Sequence, residues 1–329
     1  MIIAKAPLRV SFFGGGTDIP AVFREVGGAV ISCSIDKYVN VFLSEHKKCF
    51  DERIRLNYSQ SELVNSRDEI KNDVIRGCLQ FLEIDDPIYV GTYSDVPAGS
   101  GLGSSSACTV ALLKGLHEYR GDSGVSNLQL AKEACQVELS VLRKNIGLQD
   151  QYGCALGGVN YLEFGNSVTD DFFVEVERLP ALDWVIDEIM ADSVLVWTDL
   201  QRNAEETLGA QLRKKSEVIE YYSQMVALTR FVKNGFQDTN PGVDEYLGKM
   251  RESWHLKQRF AESILPSQIA KLIRELKNRG SRYQKLLGAG NGGFIFATDS
   301  KLIIPWLERS NIAFLPLAVD YLGPKVSSF

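Results

Sequence analysis

The apolar positions of the first forty residues fall into short strand-like runs broken by glycine. Residues 8–13 form one run, which ends in Gly14-Gly15-Gly16-Thr17-Asp18, and 28–35 and 38–43 form two more. Downstream, the pattern predicts a helix over 72–81, a strand over 87–93, and a loop at 97–107 that feeds a helix through Tyr119. A further helix is predicted over 127–144, where Ala131, Ala134, Cys135, Glu138, Val141 and Leu142 share one face by i, i+3, i+4 spacing. A strand at 159–164 closes this half.

The second half changes character. A strand at 194–197 is followed by charged helical sequence over 205–232 and again over 246–262. A helix at 269–278 and strands at 294–297 and 312–317 complete the pattern. No internal repeat or low-complexity linker marks a boundary. At 329 residues the chain exceeds the usual single core, so two lobes are expected. The division falls within 165–190 and is placed to give lobes of 1–175 and 176–329.

Composition removes several function classes. The chain is 45% hydrophobic and 24% charged, ordinary for a globular protein. A net charge of -6 and a pI near 5.3 argue against a broad nucleic-acid footprint while leaving room for a local basic pocket. No apolar run is long enough to span a bilayer, and the start lacks the long apolar run of a signal peptide. The six cysteines show neither a CxxC pair nor zinc-ligand spacing, so they read as thiols in a reducing cytoplasm.

The most informative segment is Pro97-Ala98-Gly99-Ser100-Gly101-Leu102-Gly103-Ser104-Ser105-Ser106-Ala107. Three alternating glycines let backbone N–H groups turn inward toward a ligand, and the start of the following helix adds partial positive charge. Serine hydroxyls can donate to phosphate oxygens or ligate a cation. A merely flexible Gly/Ser loop is the competing reading, but a strand before it and an apolar helix after it argue for a phosphate loop. It is not a Walker loop, because no lysine occurs between Pro97 and Thr109, nor a dinucleotide fingerprint, because position 104 is serine.

This segment resembles the second motif of the GHMP kinases, the family of galactokinase, homoserine kinase, mevalonate kinase and phosphomevalonate kinase. The first motif of that family resembles Lys5-Ala6-Pro7-Leu8-Arg9-Val10-Ser11-Phe12-Phe13-Gly14-Gly15-Gly16-Thr17-Asp18. The third resembles Lys285-Leu286-Leu287-Gly288-Ala289-Gly290-Asn291-Gly292-Gly293-Phe294, so three motifs occur in order across almost the whole chain. The resemblance implies a two-lobed α+β GHMP kinase fold with its active site in the cleft. The N-terminal lobe would be like ribosomal protein S5 domain 2 and the C-terminal lobe ferredoxin-like.

Phosphoryl transfer needs charge neutralisation, in-line positioning and a destination for the hydroxyl proton. Pro97, Gly99, Ser100, Gly101, Leu102, Gly103, Ser104, Ser105 and Ser106 are the expected ATP-binding residues. Glu138 lies on an apolar helix face, where an ionised carboxylate is costly unless paired or holding a cation. By resemblance it holds Mg²⁺ with Ser105; pairing with a nearby Arg or Lys is the alternative. Asp150, in Gly147-Leu148-Gln149-Asp150-Gln151-Tyr152-Gly153, matches the family aspartate that accepts or orients the substrate proton, although it could cap the next helix. Arg9 matches the basic residue near that aspartate and would offset charge developing in transfer.

Gly14, Gly15, Gly16, Thr17 and Asp18 are the expected sugar-binding segment. Galactokinases carry Gly-Glu-His-Thr-Asp there, and the glycines here would open space, so galactose is a poor guess. The Phe-Phe-Gly-Gly-Gly-Thr-Asp form resembles D-glycero-D-manno-heptose 7-phosphate kinases and the kinase part of fucokinase-type enzymes. Arg202, in Thr198-Asp199-Leu200-Gln201-Arg202, would bind the substrate phosphate or make a surface ion pair. The implied reaction is ATP-dependent phosphorylation of heptose 7-phosphate at C1, toward nucleotide-activated heptose. A C1 kinase for fucose or another hexose is the runner-up, and a GHMP-fold sugar and ATP sensor without turnover is a third reading. The expected partners are ATP and a sugar phosphate, in a cytoplasmic monomer or homodimer that binds neither nucleic acid nor membrane.

Overall fold

The computed structural model describes all residues except 123, 168–171, 202–203, 214, 237–240 and 262–263, and all their side chains except those of 204–206, 210 and 211. The first half contains β1 (Ile2–Phe13), α1 (Pro20–Val26), β2 (Gly28–Glu45), β3 (Ile54–Asn57), β4 (Ser61–Val64), α2 (Asp73–Phe81) and β5 (Ile88–Ser94). It continues through α3 (Ser104–Tyr119), α4 (Asn127–Cys135), α5 (Gln149–Ala155), β6 (Val159–Gly165) and β7 (Phe173–Arg178). The second half contains α6 (Asp183–Ala191), β8 (Ser193–Trp197), α7 (Ala204–Arg213), α8 (Lys215–Gly235), α9 (Val243–Gln258) and α10 (Ser267–Asn278). After β9 (Gln284–Leu286), β10 (Phe294–Thr298), α11 (Ser300–Arg309) and β11 (Phe314–Pro316), the chain ends in β12 (Lys325–Ser328).

The strands form two sheets. The larger runs β12-β1-β2-β5-β3-β4, with β6 and β7 branching from β2. The smaller is a four-stranded antiparallel sheet in the order β11-β8-β10-β9. Its strands are separated by helices in a βαββαβ sequence, which is the ferredoxin-like arrangement. The α+β GHMP kinase fold expected from the motifs is therefore the fold observed. The 175/176 division falls inside β7, a strand of the larger sheet, and β12 returns to that sheet from the far end of the chain.

Local departures from the sequence pattern have identifiable causes. Residues 28–35 and 38–43 form one 18-residue strand, β2, because β1 pairs along nearly all of it and a register shift at Pro7/Leu8 absorbs the polar step at Asp36-Lys37. The two ends of β2 serve different partners, β6 first and β5 afterwards. The predicted 127–144 helix stops at Cys135 and continues as a π-helical turn, Gln136–Val141, in which Leu142 N donates to Val137 O at 2.9 Å. Such widened turns often mark functional positions, and this one carries Glu138. The 205–232 segment is divided between α7 and α8. Helices α1, α5, α6 and α11, and strands β3, β4, β7, β9 and β12, had no expectation. They are short, and α11 contains Pro305, which reads as a breaker.

One aromatic cluster joins the halves. Phe12 on β1 meets Phe296 of β10 edge-on at 6.0 Å and Tyr246 of α9 at 6.3 Å, and Phe13 meets Tyr246 at 5.5 Å. All four rings are buried. Beside them Lys285, at the start of the third motif, donates to the carbonyls of Ser11 and Phe12 at 2.6 and 3.0 Å. Burial, followed by the charges of Lys257 and Arg9, pushes the Lys285 ammonium well below its usual range.

Gly14 sits at φ +80, where a Cβ would lie 1.7 Å from the Ala29 carbonyl oxygen. Gly14→Ala is therefore expected to destabilise the protein by about 3 kcal/mol or more in a urea titration, if it folds at all. Gly235→Ala, at the end of α8 where an added Cβ would meet nothing within 4 Å, should be neutral or stabilising by about 0.5 kcal/mol. Equal midpoints for the two variants would show that the Gly14 turn can relax.

Candidate active site

A cleft of about 240 Å³ is lined from the first half by Arg9, Asp18, Ser105, Ser106 and Asp150, and from the second by Lys257 and Ala289. The phosphate-loop glycines Gly99, Gly101 and Gly103 all have positive φ, +70, +83 and +77, so the backbone reverses at alternate residues. Helix α3 begins at Ser104, earlier than the pattern predicted, and no side chain caps it. Its first-turn N–H groups are left for an anion, with the helix's positive end behind them.

Two neighbours hold the loop in place. Arg9 Nη1 donates to Gly101 O at 2.8 Å, and Arg9 N donates to Leu102 O at 3.0 Å. From the second half, Phe294 N donates to Ser100 O at 3.0 Å. A Cβ on Gly293 would lie 2.3 Å from that same oxygen, so the glycine run of the third motif is what permits the two motifs to touch. Pro97 is exposed and outside the cleft lining, whereas Ser100 is buried with its hydroxyl unpartnered among the described residues.

Arg9 and Asp150 meet as expected. Nε and Nη2 of the buried guanidinium each lie 2.8 Å from Asp150 Oδ1. Burial alone would make Arg9 easier to deprotonate, but the charge and hydrogen bond of Asp150 outweigh it and raise its pKa. Asp150 lies in the first turn of α5 rather than in an open turn, and it is partly exposed to the cleft.

Glu138 is fully buried. It accepts from Ser106 Oγ at 2.8 Å and Thr109 Oγ1 at 2.9 Å, and from the Gln151 amide. The serine on Glu138 is thus Ser106, while the expected partner Ser105 is exposed along the cleft. Burial pushes Glu138 above the usual carboxylate range, opposed by the Lys144 charge and the three hydrogen bonds. Gln151 Oε1 is buried without a partner among the described residues. These are hard oxygen donors, the set a small divalent cation takes with nucleotide phosphates. Among the described residues, no cluster of three or more His, Cys, Asp or Glu offers a rival metal site.

The expected sugar segment behaves differently from its reading. Only Gly16 and Asp18 of its five residues line the cleft. Thr17 is buried and donates to the carbonyls of Gly14 and Ala29 at 2.8 and 3.0 Å, a lock on the turn rather than a free hydroxyl. The glycines do not open space as expected. The volume a Cβ would fill is taken by Ala29 at Gly14, by Lys257 Nζ and Ser11 Oγ at Gly15, and by the Phe260 ring at Gly16. Asp18 is buried and accepts from Gly16 N at 2.9 Å and from Gln149 N and Nε2 at 3.2 and 2.9 Å. Burial and the Asp150 charge push it up, against those backbone donors. Arg202 lies outside the described residues.

Several cleft residues had carried no expectation. Lys144 and Lys257 line it, as does Gln149. The glutamines flank Asp150 and could have been suspected from that alone. Lys257 sits in a charged helical stretch, where no local signal separates it from its neighbours.

The chain is similar to several known proteins. The family described as GHMP kinases N terminal domain matches residues 71–158, the stretch carrying the phosphate loop, Glu138 and Asp150. A D-glycero-alpha-D-manno-heptose 7-phosphate kinase of Campylobacter jejuni is 28% identical over 310 residues, covering 90% of this chain and 88% of that protein. A bifunctional fucokinase/GDP-fucose pyrophosphorylase of Arabidopsis thaliana is 27% identical over 90% of this chain but only 30% of its own length. Among solved structures, a D-glycero-D-manno-heptose 1-phosphate kinase of Bacteroides thetaiotaomicron superposes with a TM-score of 0.74 at 22% identity, covering 100% of this chain and 99% of that one. With the three motifs assembled around one cleft, residues 71–158 match the GHMP kinase N-terminal domain family, and the chain as a whole carries the GHMP kinase fold.

Proposed function

We propose that the protein is an ATP-dependent sugar kinase that phosphorylates the C1 hydroxyl of D-glycero-D-manno-heptose 7-phosphate, giving the 1,7-bisphosphate, a step toward nucleotide-activated heptose. The observation that carries the reading is the position of Arg9, bonded at once to Asp150 and to the Gly101 carbonyl of the phosphate loop. That contact sets a proton acceptor beside the place where nucleotide phosphates would rest. Asp150 takes the proton of the attacking hydroxyl, whose oxygen bonds to the γ-phosphorus as the bond to ADP breaks. Arg9 orients Asp150 and offsets the negative charge that builds up in transfer. Glu138, with Ser105 or Ser106, would hold Mg²⁺, which neutralises the β- and γ-phosphate oxygens when bound. No helix among the described residues is long and apolar enough to cross a membrane, and all six cysteines are free thiols, in keeping with a cytoplasmic enzyme.

The Campylobacter relative favours a heptose 7-phosphate acceptor, and the Arabidopsis relative keeps a C1 kinase for fucose or another hexose as the second reading. A sensor without turnover is disfavoured by the complete set of Arg9, Asp150 and Glu138. ADP release measured with Mg-ATP over free and phosphorylated hexoses and heptoses tests the choice. Heptose 7-phosphate should exceed free heptose by at least roughly 10²-fold in kcat/KM. Equal turnover of fucose or mannose would replace the heptose reading with the hexose one.

Asp150→Asn should bind ATP normally and lose roughly 10²-fold or more in kcat, the scale for removing a general base. A near wild-type kcat would leave direct attack by the hydroxyl as the mechanism. Glu138→Gln should raise the Mg²⁺ concentration needed for half-maximal rate. Ser105→Ala and Ser106→Ala then separate the two serines: the one sharing the ion with Glu138 should combine with Glu138→Gln less than additively.

A further inference from the structure

We propose that Lys144 supplies the fixed positive charge of the phosphate cradle, its ammonium exchanging Asp73 for the phosphate chain of ATP beside the first turn of α3. The inference rests on the kinase reading and adds a residue on its nucleotide side, whichever sugar is the acceptor. A polyphosphate entering a protein of net charge -6 needs a local cation. The loop has none of its own, because no lysine or arginine occurs between Pro97 and Thr109. Arg9 is committed to Asp150 and to the Gly101 carbonyl, and Lys257 is turned onto the Gly15 carbonyl. Lys144 lines the same cleft as Ser105 and Ser106, the first-turn serines of α3, whose N-terminus no side chain caps.

The chain is folded to bring it there. After the π-helical turn that carries Glu138, Arg143 takes a left-handed φ of +53 and Lys144 N donates back to Glu138 O at 2.9 Å. The turn that buries the carboxylate therefore also fixes the backbone of the lysine. After burial, the Lys144 charge is the largest influence on the Glu138 carboxyl, so its field reaches the group bonded to Ser106. The partner that Lys144 now has is weakly held. Its Nζ lies 3.3 Å from Asp73 Oδ2, and about half of the Asp73 side chain is exposed, so solvent screens the pair. Asp73 is not stranded when the ammonium leaves. It lies in the first turn of α2, where the helix's positive end favours it, and accepts from Val74 N at 2.9 Å. A flexible four-carbon stem lets the ammonium move from one anion to the other.

The competing account is that Lys144 only ties the π-helical turn to α2 through Asp73. ATP affinity, measured by calorimetry with and without Mg²⁺ for wild type, Lys144→Met, Lys144→Arg and Asp73→Asn, separates the two. Lys144→Met should weaken ATP by roughly tenfold or more, the scale of one contact to a charged group, and Lys144→Arg should keep most of the affinity. Asp73→Asn should bind ATP as tightly as wild type or up to about threefold tighter, since the ammonium no longer has to leave a carboxylate. In turnover with Mg-ATP, Lys144→Met should raise the KM of ATP while the KM of the sugar shifts less than about twofold. The proposal is overturned if Lys144→Met keeps the wild-type affinity, or if Asp73→Asn weakens ATP as Lys144→Met does, which is the result of a latch alone. It is equally overturned if Lys144→Met lowers the thermal midpoint and Lys144→Arg does not restore ATP affinity. A wild-type protein that binds no ATP under either condition overturns this inference and the kinase reading alike, whereas ATP binding untouched by Lys144→Met removes only the former.

Discussion

The buried guanidinium of Arg9 is the constraint on which the site depends. It sits on β1, opposite Ser34 of β2 in the larger sheet, and its donors go to Asp150 at the start of α5 and to the Gly101 carbonyl of the phosphate loop. A planar cation with several donors in a fixed fork can set the separation of two partners, which a lysine cannot do. Burying it without Asp150 would leave a charge in low dielectric, and removing Arg9 would strand the carboxylate and a loop carbonyl together. Asp150 and the phosphate loop, the proton acceptor and phosphate cradle of the proposed function, are therefore positioned by one side chain.

A second layer of positioning comes from glycines that let backbone meet backbone. Gly293 brings β10 onto Ser100 of the phosphate loop, and Gly14 lets the first motif fold against Ala29. Around these contacts Phe12, Phe13, Tyr246 and Phe296 supply the apolar burial, and Lys285 ties the third motif to the carbonyls of the first. The cleft lies where the three glycine motifs converge. In each, a neighbour stands where a Cβ would go: Ala29 at Gly14, Arg9 and Cys154 at Gly103, and Ser100 at Gly293.

The carboxylates of the site are held in different ways. Glu138 and Asp18 are both buried and both pushed toward protonation by that burial, with hydroxyl, amide and backbone donors working the other way. Asp150 keeps part of its surface in the cleft and has Arg9 as its partner. In the proposed function Glu138 is thus suited to be neutralised by a cation and Asp150 to meet a substrate proton, while Asp18 braces Gly16 against Gln149. Similar side chains acquire separate tasks from their surroundings.

The motifs, their order and the residue types they contain were legible without coordinates, because phosphate cradling demands glycine and serine at fixed local spacing. Arg9, Asp150 and Glu138 could be named for the same reason, each lying in or near a short recognisable run. The long β2 and the π-helical turn at Gln136–Val141 were not legible, since both arise from pairing and packing with distant segments that overrule local pattern. Nor could the sequence say that Ser106 rather than Ser105 meets Glu138, which depends on where α3 begins. It also read the Gly14–Gly16 run as open space. Only tertiary structure decides what fills the volume a missing side chain leaves, and here Ala29, Lys257 and Phe260 fill it. Lys257 lies more than two hundred residues from the turn it touches, and no local pattern of charge records such a contact.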